Sequence, residues 1–154
     1  QYFGLPYWMP NSSSLLVQWM NRGQDTLIIY AVNPLDGSKK PFYNEIQKTW
    51  VELDDMGSRI DFLPSNKGFI LKSDKDGWEQ LYWHNADGSL KNQITSGYNW
   101  TTNIQWIDTL KNVVYFTSRQ QNSTRTDFYR VDLDGKNQTR LSFGDYTQIG
   151  RAHV

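Results

Sequence analysis

Apolar and polar positions along this chain fall into short runs parted by clusters of Gly, Asn, Asp, Ser and Pro. Twelve such runs can be traced, at residues 2–10, 14–22, 26–34 and 39–47, then 59–65, 68–74, 79–85 and 90–97, and last 103–109, 112–119, 126–133 and 137–144. Their length and their Val, Ile, Tyr, Phe, Trp and Thr content suit β-strands. The second run of each group carries apolar residues on both faces, as in Leu15, Val17 and Trp19 against Leu16 and Met20, or Val113 and Tyr115 against Val114 and Phe116. A strand of that kind is covered on both sides. The fourth run of each group is polar and alternates weakly, which suits an edge strand facing solvent.

The grouping in fours follows from an internal repeat. Asp-Gly pairs recur at Asp36-Gly37, Asp87-Gly88 and Asp134-Gly135, spaced 51 and 47 residues apart, each after a strand-like run holding Tyr30, Tyr82 or Tyr129. Asp-Gly between two such runs predicts a hairpin, here of type I′, in which both central residues take positive φ. A repeat of four antiparallel strands, apolar within and polar at its last strand, predicts an all-β fold: a single segment over 1–154 made of three four-stranded blades of a β-propeller, at about 1–54, 55–103 and 104–150. An immunoglobulin-like sandwich is the rival architecture, but it requires no repeat at this period.

Composition agrees with that reading. Thirteen of the 16 acidic residues are Asp and only Glu45, Glu52 and Glu79 are Glu, Ala occurs three times, and 23 aromatic residues make up 15% of the chain. Helix formers are scarce, turn formers are abundant, and a chain so rich in aromatics folds. Sixteen basic residues balance the acidic ones, so no basic face is expected for nucleic acid or an anionic membrane. The absence of cysteine excludes disulfides and thiolate chemistry. Asn11, Asn99, Asn122 and Asn137 stand in Asn-x-Ser/Thr sequons, a number close to chance for this composition. No apolar run approaches the ~20 residues of a membrane-spanning helix, and the opening residues read neither as a signal peptide nor as a natural start.

Candidate chemistry is sparse. His84 and His153 are the two histidines, and no Gly-x-Ser-x-Gly elbow or phosphate-cradling glycine loop accompanies them. The segments from Asp74 to Glu79 and from Asp132 to Gly135 resemble calcium loops only superficially, because Gly77 stands fourth from Asp74 and the twelfth position is Asn85. Both fall where a hairpin needs a turn. Asp61 and Asp108 lie on or beside the first strands of the second and third repeats, where paired carboxylates could project into a propeller channel, but Phe62 and Trp106 match each other better between repeats. No catalytic residue, metal ligand or cofactor site is therefore expected.

The repeats themselves resemble the blades of the dipeptidyl peptidase IV family, serine peptidases of the prolyl oligopeptidase type. The likeness lies in Ser73, Gly77-Trp78, Leu81-Tyr82, Asp87-Gly88, Gln93-Ile94-Thr95, Gly97 and Trp100, and then in Tyr115-Phe116, Phe128-Tyr129, Asp134-Gly135 and Arg140-Leu141-Ser142. Gln18-Trp19, Asn21-Arg22 and Gln24 extend it into the first repeat. This resemblance implies an eight-bladed propeller, of which this chain would be an open segment, capped by an α/β-hydrolase domain that removes N-terminal dipeptides with Pro or Ala in second place. The catalytic Ser, Asp and His would lie in that hydrolase domain. The peptide substrate would be met through it, and this segment would wall the chamber and gate access. The family's paired Glu that holds the substrate amine has no counterpart, since Glu45, Glu52 and Glu79 stand apart. In some members an aromatic-Arg loop lines the substrate pocket; its nearest equivalent is Arg59 in Met56-Gly57-Ser58-Arg59, a shorter loop without the aromatic, so the resemblance offers Arg59 as the one candidate for substrate binding. The resemblance also implies a periplasmic or secreted protein. Three blades cut from a ring are expected to self-associate when isolated, with no nucleic acid or membrane partner. The other reading is a stand-alone propeller-like module that binds proteins or glycans through exposed aromatics.

Overall fold

A computed structural model of the chain describes residues 1–53, 59–145 and 147. The architecture is all-β, with three antiparallel sheets in chain order. The first sheet has β1 (Tyr2–Phe3), β2 (Tyr7–Trp8), β3 (Leu15–Met20), β4 (Thr26–Val32) and β5 (Lys39–Ile46), in the order β1-β3-β4-β5 with β2 also on β3. The second holds β6 (Ile60–Phe62), β7 (Phe69–Ser73), β8 (Gln80–His84) and β9 (Leu90–Gln93) in simple meander order. The third does the same with β10 (Thr102–Asp108), β11 (Val113–Asn122), β12 (Arg125–Asp132) and β13 (Thr139–Arg140). The polar fourth run of each repeat is an edge strand, as its weak alternation predicts.

One predicted strand is two. The run 2–10 splits into β1 and β2, which meet β3 at Tyr2↔Met20 and Phe3↔Trp19 and again at Tyr7↔Leu16 and Trp8↔Leu15. Pro6 between them has no N–H to give to a ladder, so pairing lapses and resumes. In the third sheet the hairpin of β11 and β12 runs further than the pattern suggests, to Asn122↔Arg125. The Asn122 side chain caps the tip by accepting from Thr124 N at 2.9 Å. Gln105 is a bulge between Ile104↔Phe116 and Trp106↔Tyr115.

The Asp-Gly hairpins differ from expectation in turn type. Only the glycines take positive φ, at 72°, 93° and 83° for Gly37, Gly88 and Gly135. In the second and third, Gly88 N donates to Asn85 O and Gly135 N to Asp132 O, while Asn85 N donates to Ser89 O and Asp132 N to Lys136 O. That is a three-residue loop, a type I turn closed by a left-handed glycine bulge, and not type I′. The aspartate accepts instead of adopting positive φ: Asp36, Asp87 and Asp134 Oδ1 receive the N–H two residues on at 2.8, 2.9 and 3.0 Å.

The chain divides into two compact units, residues 1–71 with 84–89 and residues 72–83 with 90–154. In the first, Leu16, Ile29, Ala31, Phe42, Tyr43, Ile60, Phe69 and Leu71 form the core. Phe69 is fully buried there, with Phe42 and His84 rings 4.9 and 5.1 Å away. In the second, Val114, Phe116 and Val131 are fully buried, and Phe116 stacks on its register partner Tyr129 at 5.3 Å. Each buried Leu, Ile or Phe contributes about 1.5–3 kcal/mol, so packing and not turn geometry dominates stability.

Candidate functional site

Arg59, the one residue that the sequence offers for substrate contact, lies just before β6 with 4% of its surface exposed. Its Nη2 donates to the Glu52 carbonyl at 2.7 Å and its Nη1 is 3.9 Å from Glu45 Oε2. Glu45 is itself gripped by Tyr43 Oη and Gln47 Nε2, both at 2.6 Å. The guanidinium is thus engaged inside the first unit. Met56, Gly57 and Ser58 lie outside the described residues, as does His153.

The other candidates have internal tasks. His84 is 3% exposed, bonds Gly88 O through Nδ1 at 2.8 Å and sits edge-on to Tyr43 at 5.4 Å. Asp61 pairs in register with Ile70 on β7. Asp108 closes the turn after β10 by accepting from Leu110 N and Lys111 N at 3.1 and 2.9 Å. Asp74 begins a turn that ends with Gly77 N on its carbonyl at 2.7 Å, and Asp76 accepts from Tyr82 Oη. No group of three or more His, Asp and Glu converges on a common point among the described residues.

Three features of the second unit escape a reading of the sequence. The first is a buried polar network: Gln80 Oε1 accepts from Thr95 Oγ1 at 2.7 Å and Asn99 Nδ2 at 2.8 Å, while Asn99 Oδ1 accepts from Ser118 Oγ at 2.6 Å. All four residues are buried, Asn99 and Ser118 completely. Their polarity disguises them as surface residues, and the sequon at Asn99 adds to the disguise. The second is an aromatic corner built upon that network. Trp78 meets Tyr98 at 5.1 Å and Trp100 at 5.2 Å, the two tryptophans at 87°. Tyr98 and Trp100 flank Asn99 and remain 68% and 58% exposed. The third is Asp127, fully buried, which accepts from Arg140 Nη2 at 2.7 Å, Ser142 Oγ at 2.9 Å and Arg125 Nε at 3.2 Å. Burial works to raise its carboxyl, but the Ser142, Arg140 and Arg125 hydrogen bonds with the Arg140 charge outweigh it and hold it below the usual range. Burial and the Asp127 charge raise the neighbouring Tyr129 phenol.

Three successive antiparallel sheets, one of five strands and two four-stranded meanders, each ending in a polar edge strand and repeated at the period of the Asp-Gly turns, define a β-propeller segment. The chain belongs to the family described as the dipeptidyl peptidase IV (DPP IV) N-terminal region, whose model matches residues 1–153. It is 28% identical over 138 residues to the probable dipeptidyl peptidase 4 of Trichophyton verrucosum and 29% identical over the same length to dipeptidyl peptidase 4 of Arthroderma otae, covering 81% of this chain and 18% of each relative. Among solved structures, dipeptidyl peptidase 4 of Porphyromonas gingivalis superposes with a TM-score of 0.77 at 27% identity, over 90% of this chain and 19% of that one. TolB from Acinetobacter baumannii, at 17% identity and a TM-score of 0.61, shares the fold. The chain therefore spans about a fifth of the length of its dipeptidyl peptidase relatives.

Proposed function

We propose that this chain is a non-catalytic propeller segment of a dipeptidyl peptidase IV-like serine exopeptidase, which removes N-terminal dipeptides with Pro or Ala in second place. Its own contribution is to wall the chamber and restrict entry to peptide termini. The family match over residues 1–153 carries this reading. The internal engagement of His84 and Asp108 supports it, since acyl transfer needs a nucleophile, a base and an oxyanion hole held open to substrate. In this reading Arg59 serves the wall as a brace, because its guanidinium already joins Glu45 to the Glu52 carbonyl. The parent enzyme acts in the periplasm or outside the cell.

The test is hydrolysis of Ala-Pro and Gly-Pro chromogenic amides. The full-length polypeptide is expected to turn them over and the 154-residue chain to stay at the buffer control. A full-length protein that leaves both amides intact, or turnover by the short chain that survives purification and vanishes on His84→Ala, contradicts the proposal.

A further inference from the structure

We infer that a cavity past the C-terminal end of β6 is a peptide-binding site, which takes one bulky neutral aromatic side chain of an extended peptide and holds the adjoining main chain on its rim; the inference rests on the proposed peptidase reading. The cavity, of about 300 Å³, lies wholly within the first unit, between the loop after β2, the β6–β7 hairpin and the β8–β9 turn. Its apolar lining includes the fully buried Phe69, Phe62 with its ring 5.8 Å away, and the half-buried Met9. Tyr7 braces Phe62 from outside the lining, nearly parallel at 6.3 Å. The two loops at the rim are held in costly backbone conformations. Ser12, Ser65 and Asn66 take φ of 56°, 57° and 57°, three of the six non-glycine residues with positive φ among the described residues. Ser12 N donates to Met9 O at 2.8 Å and Lys67 N to Pro64 O at 3.2 Å, which fixes both loops. Such outliers gather where a site must be shaped before its ligand arrives. A Cβ at Gly68 would stand 1.9 Å from His84 O, so this wall is packed tightly on the end of β8.

Size and lining select the occupant. A dry apolar cavity of about 150 Å³ takes one benzene ring, so about 300 Å³ takes a bicyclic ring such as indole and is too roomy for an alkyl side chain. Met9 adds a thioether, which makes favourable contacts with ring edges. Among the described residues no ionisable side chain lines the cavity, which excludes a charged side chain or a peptide terminus as its guest. The rim is polar but neutral. Asn11, Ser65 and Asn66 are exposed there, and because Asn11 Oδ1 accepts from Ser13 N at 3.1 Å, its Nδ2 is left as a donor. Neutral amide and hydroxyl groups beside an apolar hollow match a peptide, whose main chain needs such partners while one side chain is buried. A free hydrocarbon would leave that rim unused.

The test is NMR of the full-length polypeptide carrying ¹³C-methyl methionine, with the Met9 resonance assigned as the one lost in Met9→Leu. The probe is acetyl-Gly-Gly-Trp-Gly-Gly-amide, whose blocked N-terminus keeps it from being consumed as a substrate. The Met9 methyl is expected to move upfield under the indole ring current and to saturate with a Kd on the order of 0.1–1 mM. The same peptide with Ala for Trp should leave it in place. Asn66→Gly keeps the left-handed turn and removes the side-chain amide, so it should weaken binding about fivefold. Ala86→Leu fills the hollow from the β8–β9 turn and should weaken it about tenfold or more. If Ala86→Leu does not fold, the peptide pair and Asn66→Gly decide. A Met9 methyl that ignores the Trp peptide, or answers the Ala peptide equally, overturns the inference. So does N-acetyltryptophanamide binding as tightly as the peptide, since the main chain would then not be held. Hydrolysis of the chromogenic amides by the same sample separates the two levels: an active enzyme with a silent Met9 defeats the peptide-site inference alone, and an inactive one whose Met9 responds defeats the peptidase reading alone.

Discussion

At Gly88 the backbone lies at φ +93°, and a Cβ placed there would stand 2.0 Å from the Phe42 carbonyl oxygen. Gly88→Val therefore meets two penalties, a left-handed conformation that a β-branched residue tolerates badly and a clash with backbone that has no rotamer to escape through. A loss of about 3 kcal/mol or more is expected. Asp87→Ala removes only the exposed bonds to Ser89 and should cost clearly less. Thermal unfolding of both variants checks the order, and equal midpoints for wild type and Gly88→Val would contradict the turn assignment. The turn aspartates also set a pH dependence. Hydrogen bonds from the Ser38 and Ser89 side chains and N–H groups hold Asp36 and Asp87 below their ordinary values, and the Lys136 N–H and side chain do the same for Asp134. A carboxyl whose folded pKa is depressed stabilises the fold above its unfolded value of about 3.9, and that contribution is lost as pH falls through the folded pKa. Asn keeps the acceptor and loses the titration, so Asp36→Asn/Asp87→Asn/Asp134→Asn should flatten stability against pH below about 4. An acid limb as steep as wild type argues against these turns as a source of it.

Strands were legible because their signal is a surface pattern. Every one of the twelve runs overlaps a strand or, at 2–10, two. Of the second runs, β7 is buried nearly throughout as two apolar faces require, whereas in β3 Leu16, Gln18 and Met20 are buried and Leu15, Val17 and Trp19 on the other face only half-buried, and in β11 Tyr115 is half-buried. The turn type was not legible, since Asp-Gly serves both a type I′ turn and a type I turn with a glycine bulge; one residue of loop length decides, and strand ends are not marked to that precision. The buried polar residues were invisible for a different reason. Gln18, Gln80, Asn99 and Ser118 read as solvent-facing in any apolar-polar pattern, yet all are buried, and the last three are bonded to one another or through one another. Arg59 shows the same blindness, with the buried partner Glu45 on another strand supplying what the local sequence does not. The network predicts its own cost. Asn99→Ala leaves Gln80 and Ser118 short of a partner inside the protein, so about 2–3 kcal/mol should be lost, measurable by urea unfolding. A variant within 0.5 kcal/mol of wild type, the usual span for exposed substitutions, would mean that the network does not hold the loop before β10.

On the scale of the whole molecule, the question is what covers the sheets at either end of the segment. On the third sheet Trp106, Tyr115 and Phe128 stack in a row at 5.3 and 6.1 Å, with Trp106 59% exposed. Ring edges presented side by side are a packing face. If each terminal sheet leaves on the order of 500 Å² of apolar surface uncovered, at about 25 cal/mol per Å² each face carries roughly 12 kcal/mol of gross drive to be covered. Association entropy and desolvation consume part of that, and a formal net charge of zero opposes pairing with no repulsion. The measurement that bears most directly on an open propeller segment is light scattering of the isolated chain after size exclusion at micromolar concentration. Species heavier than the 18.1 kDa monomer, shifting with concentration, are the predicted result. A sharp monomer of that mass with cooperative unfolding would mean that the three sheets satisfy themselves, and the reading of this chain as a piece of a larger ring would have to be given up.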